Sequence, residues 1–455
     1  MNKATGGAED IIPDDNLPYA SKKCYDVNMQ RVLINQISKH GGKEVLIRGR
    51  VIALRQMGGL CFAVVQDYTG KIQTVWEKGF EGKIGETIEV TGTVRKDERA
   101  PGGAELKGIK LKVYGKNIEE LPIDLAKPEP NFQLNTLLDL RPITLRHPKI
   151  QAIFKLYDLL LEAYEIVMRE EGFTEIKTPK LLEAASEGGA NFFKVDYFKK
   201  SAYLAQSPQL YKQIMVGVFE RVFEIGPVFR AEPHFTTRHI NEYISLDAEM
   251  GFIENWQDVT RELNKVLIKM FAYLKEKGGV YLEMYKATLP EVPDEIPYLK
   301  LTEAKKIILE KYNYEVLKET DIDPEGERLI CKYAKEEFKS DFIFVTHYPW
   351  KDRPFYTMPD PKDKDATFGF DLLFRGVEIV TGSQRIHEYK QLIDNMKKKG
   401  IKEKGLEFYL DVFKYAMPPH GGWAIGSERL IQHILGLSSV KEATLFPRDV
   451  KRLRP

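Results

Sequence analysis

The chain has 455 residues, which is enough for two or three domains with buried cores. Its 68 lysines and arginines nearly balance 67 aspartates and glutamates, so we expect no DNA partner, and any RNA must meet local basic patches. Three widely spaced cysteines argue against a structural zinc site and a disulfide framework. Without a membrane-length apolar run or a targeting peptide, the sequence predicts a soluble cytoplasmic protein with no membrane partner.

The first third of the chain predicts a small β domain. Residues 1–28 lack periodicity, and we expect a flexible N-terminal extension there. Residues 29–122 contain five runs rich in Val, Ile and aromatic residues, separated by glycines. Five strands in ~90 residues predict a barrel of the OB type, a common platform for oligonucleotides, with a small β-sandwich as the alternative. The proline-rich stretch 123–145 predicts a linker or hinge.

The remainder, 146–455, predicts an α+β domain. Helical periodicity runs through 150–171 and 259–274, and strand candidates lie at 342–349, 368–383 and 421–427. This order favours antiparallel strand pairs rather than regular βαβ units. The segment has no GxxxxGK[ST] loop and no GxGxxG after a strand, which disfavours P-loop and Rossmann nucleotide binding.

The segment 221–250, RVFEIGPVFRAEPHFTTRHINEYISLDAEM, predicts two antiparallel strands joined by a basic loop. Arg230 and Glu232 share a face at the end of the first strand, because side chains on one face repeat every second residue. A guanidinium at a strand end, with further cations on the loop, suits a polyphosphate. The alternative is an ordinary hairpin with a solvated charged loop.

A second segment, GGWAIGSERLIQHILGL at 421–437, predicts a glycine-rich strand, a turn and a helix. Leu430, Ile434 and Leu437 bury one helix face, which leaves Arg429 at the helix start, directed at the sheet. A cation beside a helix N-terminus favours phosphate. The alternative is a turn with a solvent-exposed arginine.

Between these segments, Asp371 and Glu378 fall on two adjoining strands joined through 374–376. A few oxygen ligands, completed by phosphates and water, are the usual way in which proteins hold Mg²⁺. The alternative is an ion-pair network with Arg375 and Arg385.

Taken together, these segments resemble the signature motifs of class II aminoacyl-tRNA synthetases. FRAE followed by RHINEY resembles the second motif, GGWAIGSERL the third, and REEGFTEIKTPKLL the first, which builds the family's dimer interface. The resemblance implies a class II catalytic domain built on an antiparallel sheet flanked by helices, a homodimer, ATP as substrate and Mg²⁺ as cofactor. Its ATP-binding positions match Arg230, Glu232, Arg238, His239, Ile240, Glu378, Gly426, Ser427, Glu428 and Arg429. The metal positions match Asp371, Glu378 and Thr381, and the catalytic residues are expected to be Arg230, Glu378 and Arg429.

The segments SEGGANFFKVDYF and YLAQSPQLYKQ resemble the aspartate, asparagine and lysine group of that class, and YPWKDRPFYTM resembles the aspartate branch. Aspartate-binding positions match Glu187, Gln209, Lys212, Arg230, Asp247, Thr381 and Arg385. Lys212 and Arg385 would bind a side-chain carboxylate, while Glu187 and Asp247 suit the α-ammonium or hold the two cations in place. Asparagine would leave buried charge unpaired, at roughly 3 kcal/mol or more.

In this family the N-terminal OB domain binds the anticodon, and the matching positions here are Arg55, Phe62 and Gln73. Phe62 offers a stacking face and Gln73 an amide that can read a base edge. The alternative for Phe62 is a place in the barrel core.

The resemblance implies an aspartate–tRNA ligase that forms aspartyl-adenylate from L-aspartate and ATP and transfers aspartate to tRNA(Asp). An asparagine–tRNA ligase is the nearest alternative, disfavoured by Lys212 and RPFYT. A non-catalytic RNA-binding paralogue is the other, disfavoured because Arg230, Glu232, Glu378 and Arg429 are all present.

Overall fold

The structure is a computed structural model that describes residues 29–77, 79–130, 132–183 and 192–455. The chain divides into two compact units, the first ending at Ala126 and the second beginning at Lys127. The division falls inside the segment predicted as a linker, 123–145. The second half of that segment is helical and belongs to the second unit, with Leu137 and Leu138 buried. The predicted extension, 1–28, lies outside the described residues.

The first unit is a closed five-stranded barrel with strand order β1-β2-β3-β5-β4. Its strands are β1 (Glu44–Met57), β2 (Leu60–Asp67), β3 (Gly70–Trp76), β4 (Thr87–Lys96) and β5 (Ala104–Gly115). The β3–β5 pair is parallel and the other four pairs are antiparallel. The predicted OB-type barrel is therefore confirmed and the sandwich alternative is wrong. Short 3-10 helices at Ile34–His40 and Pro101–Gly103 precede β1 and β5.

The second unit is built on a sheet of eight strands in the order β12-β13-β16-β17-β18-β11-β10-β6. Its central strands are antiparallel, whereas the edge strands β12 and β6 pair in parallel with their neighbours. In chain order these strands are β6 (Thr174–Glu175), β10 (Arg221–Phe229), β11 (Glu242–Gly251), β12 (Tyr298–Lys300), β13 (Phe342–Thr346), β16 (Gly369–Phe374), β17 (Val377–Gln384) and β18 (His420–Gly426). A three-stranded sheet holds β7 (Leu181–Leu182), β8 (Lys194–Tyr197) and β9 (Lys200–Leu204), and a hairpin holds β14 (Pro359–Asp360) and β15 (Asp363–Thr367).

The helices of this unit are α1 (Leu134–Asp139), α2 (Arg141–Thr144), α3 (Pro148–Glu170), α4 (Gln209–Phe219), α5 (Trp256–Lys277), α6 (Gly279–Met284), α7 (Leu301–Tyr312), α8 (Pro324–Glu337), α9 (Tyr389–Lys398), α10 (Glu407–Phe413) and α11 (Ser427–Leu435), with a 3-10 helix at Val440–Ala443. The apolar stripes of α3, α5 and α11 pack against the sheet in one large core. A second core holds residues of α4, α9 and α10, and a third joins α7 and α8 to β13. The α+β prediction is confirmed. Within the part of the chain that the structure describes, no helix is long and apolar enough to span a membrane.

Candidate active site

A cavity of about 690 Å³ opens on the sheet where β10, β11, β16, β17 and β18 lie side by side. Its wall combines the loop between β10 and β11, the start of α11 and the first turns of α4. The residues predicted for substrates and metal that line it are Gln209, Lys212, Arg230, Glu232, Arg238, His239, Ile240, Asp371, Glu378, Thr381, Arg385, Gly426, Glu428 and Arg429. The fold therefore gathers side chains that lie up to 220 residues apart in sequence, from Gln209 to Arg429.

The β10–β11 hairpin is paired from Arg221↔Met250 to Phe229↔Glu242, so the loop begins at Arg230, as predicted. The Arg230 guanidinium lies 3.7 Å from the Glu232 carboxylate, which confirms that the two share a face. The Asn241 amide fixes the base of the loop by donating to the carbonyls of Arg230 (2.6 Å) and Glu232 (3.3 Å). The strand end is thus a fixed platform for a guanidinium.

Two further cations stand at the same end of the cavity. Arg429 lies in the first turn of α11 and donates to the carbonyl oxygen of Glu378 at 2.7 Å, with the Glu378 carboxylate 3.8 Å away. Arg238 forms a close ion pair with Glu327 of α8. Three guanidiniums near one helix N-terminus are an arrangement suited to a polyphosphate. The alternative of a solvent-exposed Arg429 is wrong, because this side chain bonds to the sheet.

Asp371 and Thr381 are direct cross-strand partners on β16 and β17, whose turn places Arg375 and Gly376 at positive φ. One oxygen of Asp371 accepts from Arg353 at 2.6 Å, and the same guanidinium donates to the Thr381 hydroxyl at 3.0 Å. The ion-pair partners proposed as the alternative, Arg375 and Arg385, are therefore wrong.

The carboxyl groups at this point fit a divalent cation. The second oxygen of Asp371, Oδ1, is buried and has no hydrogen-bond partner among the described residues. Withdrawal from bulk water and then the nearby Asp371 carboxylate raise the pKa of Glu378 above its ordinary value. An unpartnered buried oxygen beside a second carboxylate is a donor set that Mg²⁺ can complete with phosphate oxygens and water.

The other end of the cavity contains a buried charge cluster. Lys212 lies 3.0 Å from Asp247 and 3.4 Å from Glu249, and Arg385 donates to Glu249 at 2.8 Å. Burial alone would raise the pKa of Glu249, but Arg385 and Lys212 outweigh it and hold that pKa below its usual value. Gln209 joins the cluster, accepting from Arg385 at 3.1 Å. Both cations line the cavity, whereas Asp247 and Glu249 lie behind them.

Three predicted side chains hold the wall together instead of offering a free group to a ligand. Asp247 is covered by Lys212, so it supports that cation and does not reach the cavity. Ser427 is fully buried and donates to the carbonyl of Ile244 at 2.7 Å. Glu428 accepts from the Ile244 amide at 3.0 Å, and burial raises the pKa of Glu428 to about 7. Glu187 lies outside the described residues.

Three residues that matter to the cavity were not predicted as site residues: Glu249, Glu327 and Arg353. Glu249 follows Asp247 on β11 by two residues, so strand alternation alone could have placed both on one face. Arg353 lies within the RPFYT segment, which resembles the aspartate branch, but no single residue of that segment was predicted to belong to the site. Glu327 carries no sequence signal, because its partners Arg238 and Glu378 are distant in the chain.

In the barrel, the three anticodon candidates lie on one outer face. Arg55 on β1 pairs with Phe62 on β2, and Phe62 pairs with Val75 on β3, two residues beyond Gln73. Phe62 is half-buried and stands outside the barrel core, whose β2 members are Cys61, Ala63 and Val65. The alternative of a core Phe62 is therefore wrong, and the ring is open to a partner on that face.

The comparison with known proteins agrees with this geometry. The family described as tRNA synthetases class II (D, K and N) matches residues 133–450, and the OB-fold nucleic acid binding domain matches residues 45–121. The chain therefore belongs to the class II aminoacyl-tRNA synthetases of the D, K and N group, which confirms the resemblance seen in its motifs.

Curated relatives and solved structures cover nearly the whole chain. A Deinococcus radiodurans protein named aspartate–tRNA(Asp/Asn) ligase is 46% identical over 433 residues, which are 94% of this chain and 99% of the relative. A Pyrococcus furiosus protein named aspartate–tRNA(Asp) ligase is 38% identical over 433 residues, 92% of this chain and 98% of the relative. Asparaginyl-tRNA synthetase of Pyrococcus horikoshii, solved with asparaginyl-adenylate, is 32% identical with a TM-score of 0.86, covering 94% of this chain and 100% of that structure.

Replacing Glu378 with Gln tests the metal site. The substitution keeps the size of the side chain and removes a charge that would hold Mg²⁺. We expect amino-acid-dependent ATP–pyrophosphate exchange to fall at least about a hundredfold, the binding of Mn²⁺ in the presence of ATP to weaken, and the melting temperature to change little. Exchange retained at ordinary Mg²⁺ concentration would reduce Glu378 to a structural partner of Arg429.

Proposed function

We propose that this chain is an aspartate–tRNA ligase whose cavity joins L-aspartate to ATP and then to tRNA(Asp). The observation that carries the choice of amino acid is the pair of buried cations, Lys212 and Arg385, on the cavity wall at the end opposite the three phosphate-facing guanidiniums. Curated relatives at 38–46% identity carry the name aspartate–tRNA ligase, which agrees with this choice.

The donors of the cation pair favour a carboxylate. Lysine and arginine side chains donate hydrogen bonds and accept none. In this structure Lys212 donates to Asp247 and to two backbone carbonyls, and Glu249 accepts from Arg385, so an acidic ligand would take over some of these donors. The side-chain carboxylate of aspartate, which only accepts, therefore matches the wall. The amide nitrogen of asparagine would face donors and leave a buried charge without its acceptor, at a cost of roughly 3 kcal/mol or more.

In the first step, the α-carboxylate of aspartate attacks the α-phosphorus of ATP, and pyrophosphate leaves. No protein nucleophile is needed, because catalysis of this type depends on positioning and charge stabilisation. Arg230 would stabilise charge on the α-phosphate, and Arg238 and Arg429 would hold the β- and γ-phosphates. Mg²⁺, held by Asp371, Glu378 and Thr381, would supply neutralisation of phosphate charge.

In the second step, a ribose hydroxyl of the terminal adenosine of tRNA attacks the carbonyl carbon of aspartyl-adenylate, and AMP leaves. Recognition of the tRNA would fall to the outer face of the barrel, where Phe62 stacks on a base and Arg55 and Gln73 contact neighbouring groups. A single-stranded nucleic acid that crosses β1, β2 and β3 on this face would meet all three side chains.

The alternatives are less well supported. Asparagine–tRNA ligase shares the fold, as the Pyrococcus horikoshii structure shows, so the fold does not choose between the two amino acids. The buried Lys212 favours aspartate, because the side-chain amide of asparagine needs no ammonium partner. A non-catalytic paralogue would have no reason to keep Arg230, Glu378 and Arg429 together around one cavity.

We also infer a homodimer in the cytoplasm. The segment 169–182, which resembles the family's dimer motif, contains β6, the edge strand of the large sheet. Three exposed apolar side chains would be covered by a second copy: Val218 and Phe219, which precede β10, the neighbour of β6, and Phe252, which follows β11. Light scattering at micromolar concentration should give twice the chain mass, and a monomer at that concentration would contradict the inference.

Arg385→Leu tests the amino-acid pocket. Loss of one of two cations should lower aspartate-dependent exchange at least about a hundredfold, because a carboxylate would lose a charged hydrogen-bond partner. Binding of a non-hydrolysable ATP analogue should survive, because its phosphates would bind at the opposite end of the cavity. Arg385→Lys, which keeps the charge, is the control and should lose less. Exchange near the wild-type rate in Arg385→Leu would show that the pocket is assigned to the wrong residues.

Phe62→Ala tests the anticodon face. Removal of a stacking partner worth ~1–3 kcal/mol should raise the KM for tRNA about ten- to a hundredfold. Adenylate formation should stay unchanged, because its residues lie in the other unit. Tyr114→Ala, which removes an exposed aromatic ring from β5, is the matched control and should leave the KM for tRNA unchanged. A Phe62→Ala protein with a lowered melting temperature and an unchanged KM would place the anticodon contact elsewhere on the barrel.

A further inference from the structure

Glu327, in the first turn of α8, is not among the predicted site residues, yet it contacts two of them, Arg238 and Glu378. Its side chain is 11% exposed and does not line the cavity. One of its oxygens, Oε2, accepts from the guanidinium of Arg238 and from the backbone amide of Glu378 at 3.2 Å. A single carboxylate oxygen thus joins a helix, the β10–β11 loop and the start of β17.

This contact places a carboxylate where its charge is costly. The Glu327 side chain is largely withdrawn from water, which penalises its charge, and the Arg238 guanidinium compensates for that penalty. The nearby Glu378 carboxylate adds repulsion. A second acidic side chain beside a phosphate-binding end is unfavourable unless it orients a cation, and Arg238 is the cation that it touches.

The geometry also separates the two sides of the Arg238 guanidinium. Arg238 lines the cavity and Glu327 does not, so the guanidinium lies between the carboxylate and the cavity. Arginine has five N–H donors in a fixed plane. Within the described part of the chain, the Arg238 side chain donates to Glu327 alone, so the donors on the cavity side can meet a ligand. A phosphate therefore has no need to displace Glu327.

We propose that Glu327 is a positioning residue for the terminal phosphates of ATP, which holds the Arg238 guanidinium in its phosphate-facing orientation and fixes the strand that carries Glu378. The inference rests on the phosphate-binding role proposed for Arg238. A loop arginine without this partner would sample several rotamers and would lose that freedom when the ligand binds, a loss that the pre-formed ion pair avoids.

Glu327→Gln is the direct test. Glutamine keeps the size of the side chain and an oxygen that accepts from the Glu378 amide, but it loses the charge that orients Arg238. We expect the KM for ATP in pyrophosphate exchange to rise about three- to tenfold, the affinity for a non-hydrolysable ATP analogue to fall by a similar factor, and the KM for aspartate to stay unchanged. Glu336→Gln, on the exposed side of the same helix, is the matched control and should change none of these.

A double-mutant cycle separates positioning from a general structural role. In an Arg238→Ala background, Glu327→Gln should have no further effect on the KM for ATP, because the side chain it orients is gone. Additive effects in the cycle, or a KM for ATP that is unchanged or lower in Glu327→Gln, would overturn the proposal. Glu327→Asp, one methylene shorter, gives a second charged variant that should also raise the KM for ATP.

The failure of this inference and the failure of the proposed phosphate site give different results. If Arg238→Ala leaves the KM for ATP unchanged, Arg238 is not a phosphate ligand and the site assignment itself is wrong. If Arg238→Ala raises that KM and Glu327→Gln does not, the site stands and Glu327 has no part in positioning. Melting temperatures of all variants identify any loss that comes from unfolding.

Discussion

The pairing of buried cations with buried carboxylates is the constraint on which this cavity depends. Lys212 and Arg385 are nearly inaccessible to water, and an unpaired charge in that position would strongly destabilise the fold. Asp247 and Glu249, two residues apart on β11, neutralise them from behind. The same contacts hold α4 and the end of β17 against β11. The interactions that form the amino-acid pocket therefore also stabilise the packing of the sheet.

The phosphate end follows the same logic in a more open setting. Arg238 and Arg353 each meet a carboxylate of the protein, Glu327 and Asp371, and Arg429 bonds to the carbonyl of Glu378. Guanidiniums that are already oriented lose little freedom when a ligand binds, and they stabilise developing charge without reorganising. The ligand-facing donors are therefore oriented by protein groups before a ligand binds.

Sequence patterns predicted the hairpin, the strand-to-helix turn and many of the residues that face the cavity, because each depends on a short segment. The alternation of Arg221–Phe229 and the helical stripe after Gly426 place Arg230 and Arg429 without tertiary information. Carboxylate partners could not be predicted in this way. Glu327 contacts Arg238, which lies 89 residues away in the chain. Asp371 pairs with Arg353 instead of Arg375 or Arg385, the partners that the sequence suggested. Whether Phe62 points inward or outward depended on the phase of its strand relative to the barrel core, which alternation alone leaves open.

Lys212 and Arg385 together would select a carboxylate side chain. ATP–pyrophosphate exchange with the wild-type protein, measured separately with L-aspartate and L-asparagine at equal concentrations, distinguishes the two substrates. We expect rapid exchange with aspartate and a kcat/KM for asparagine lower by about a hundredfold or more. Equal or faster exchange with asparagine would contradict this expectation.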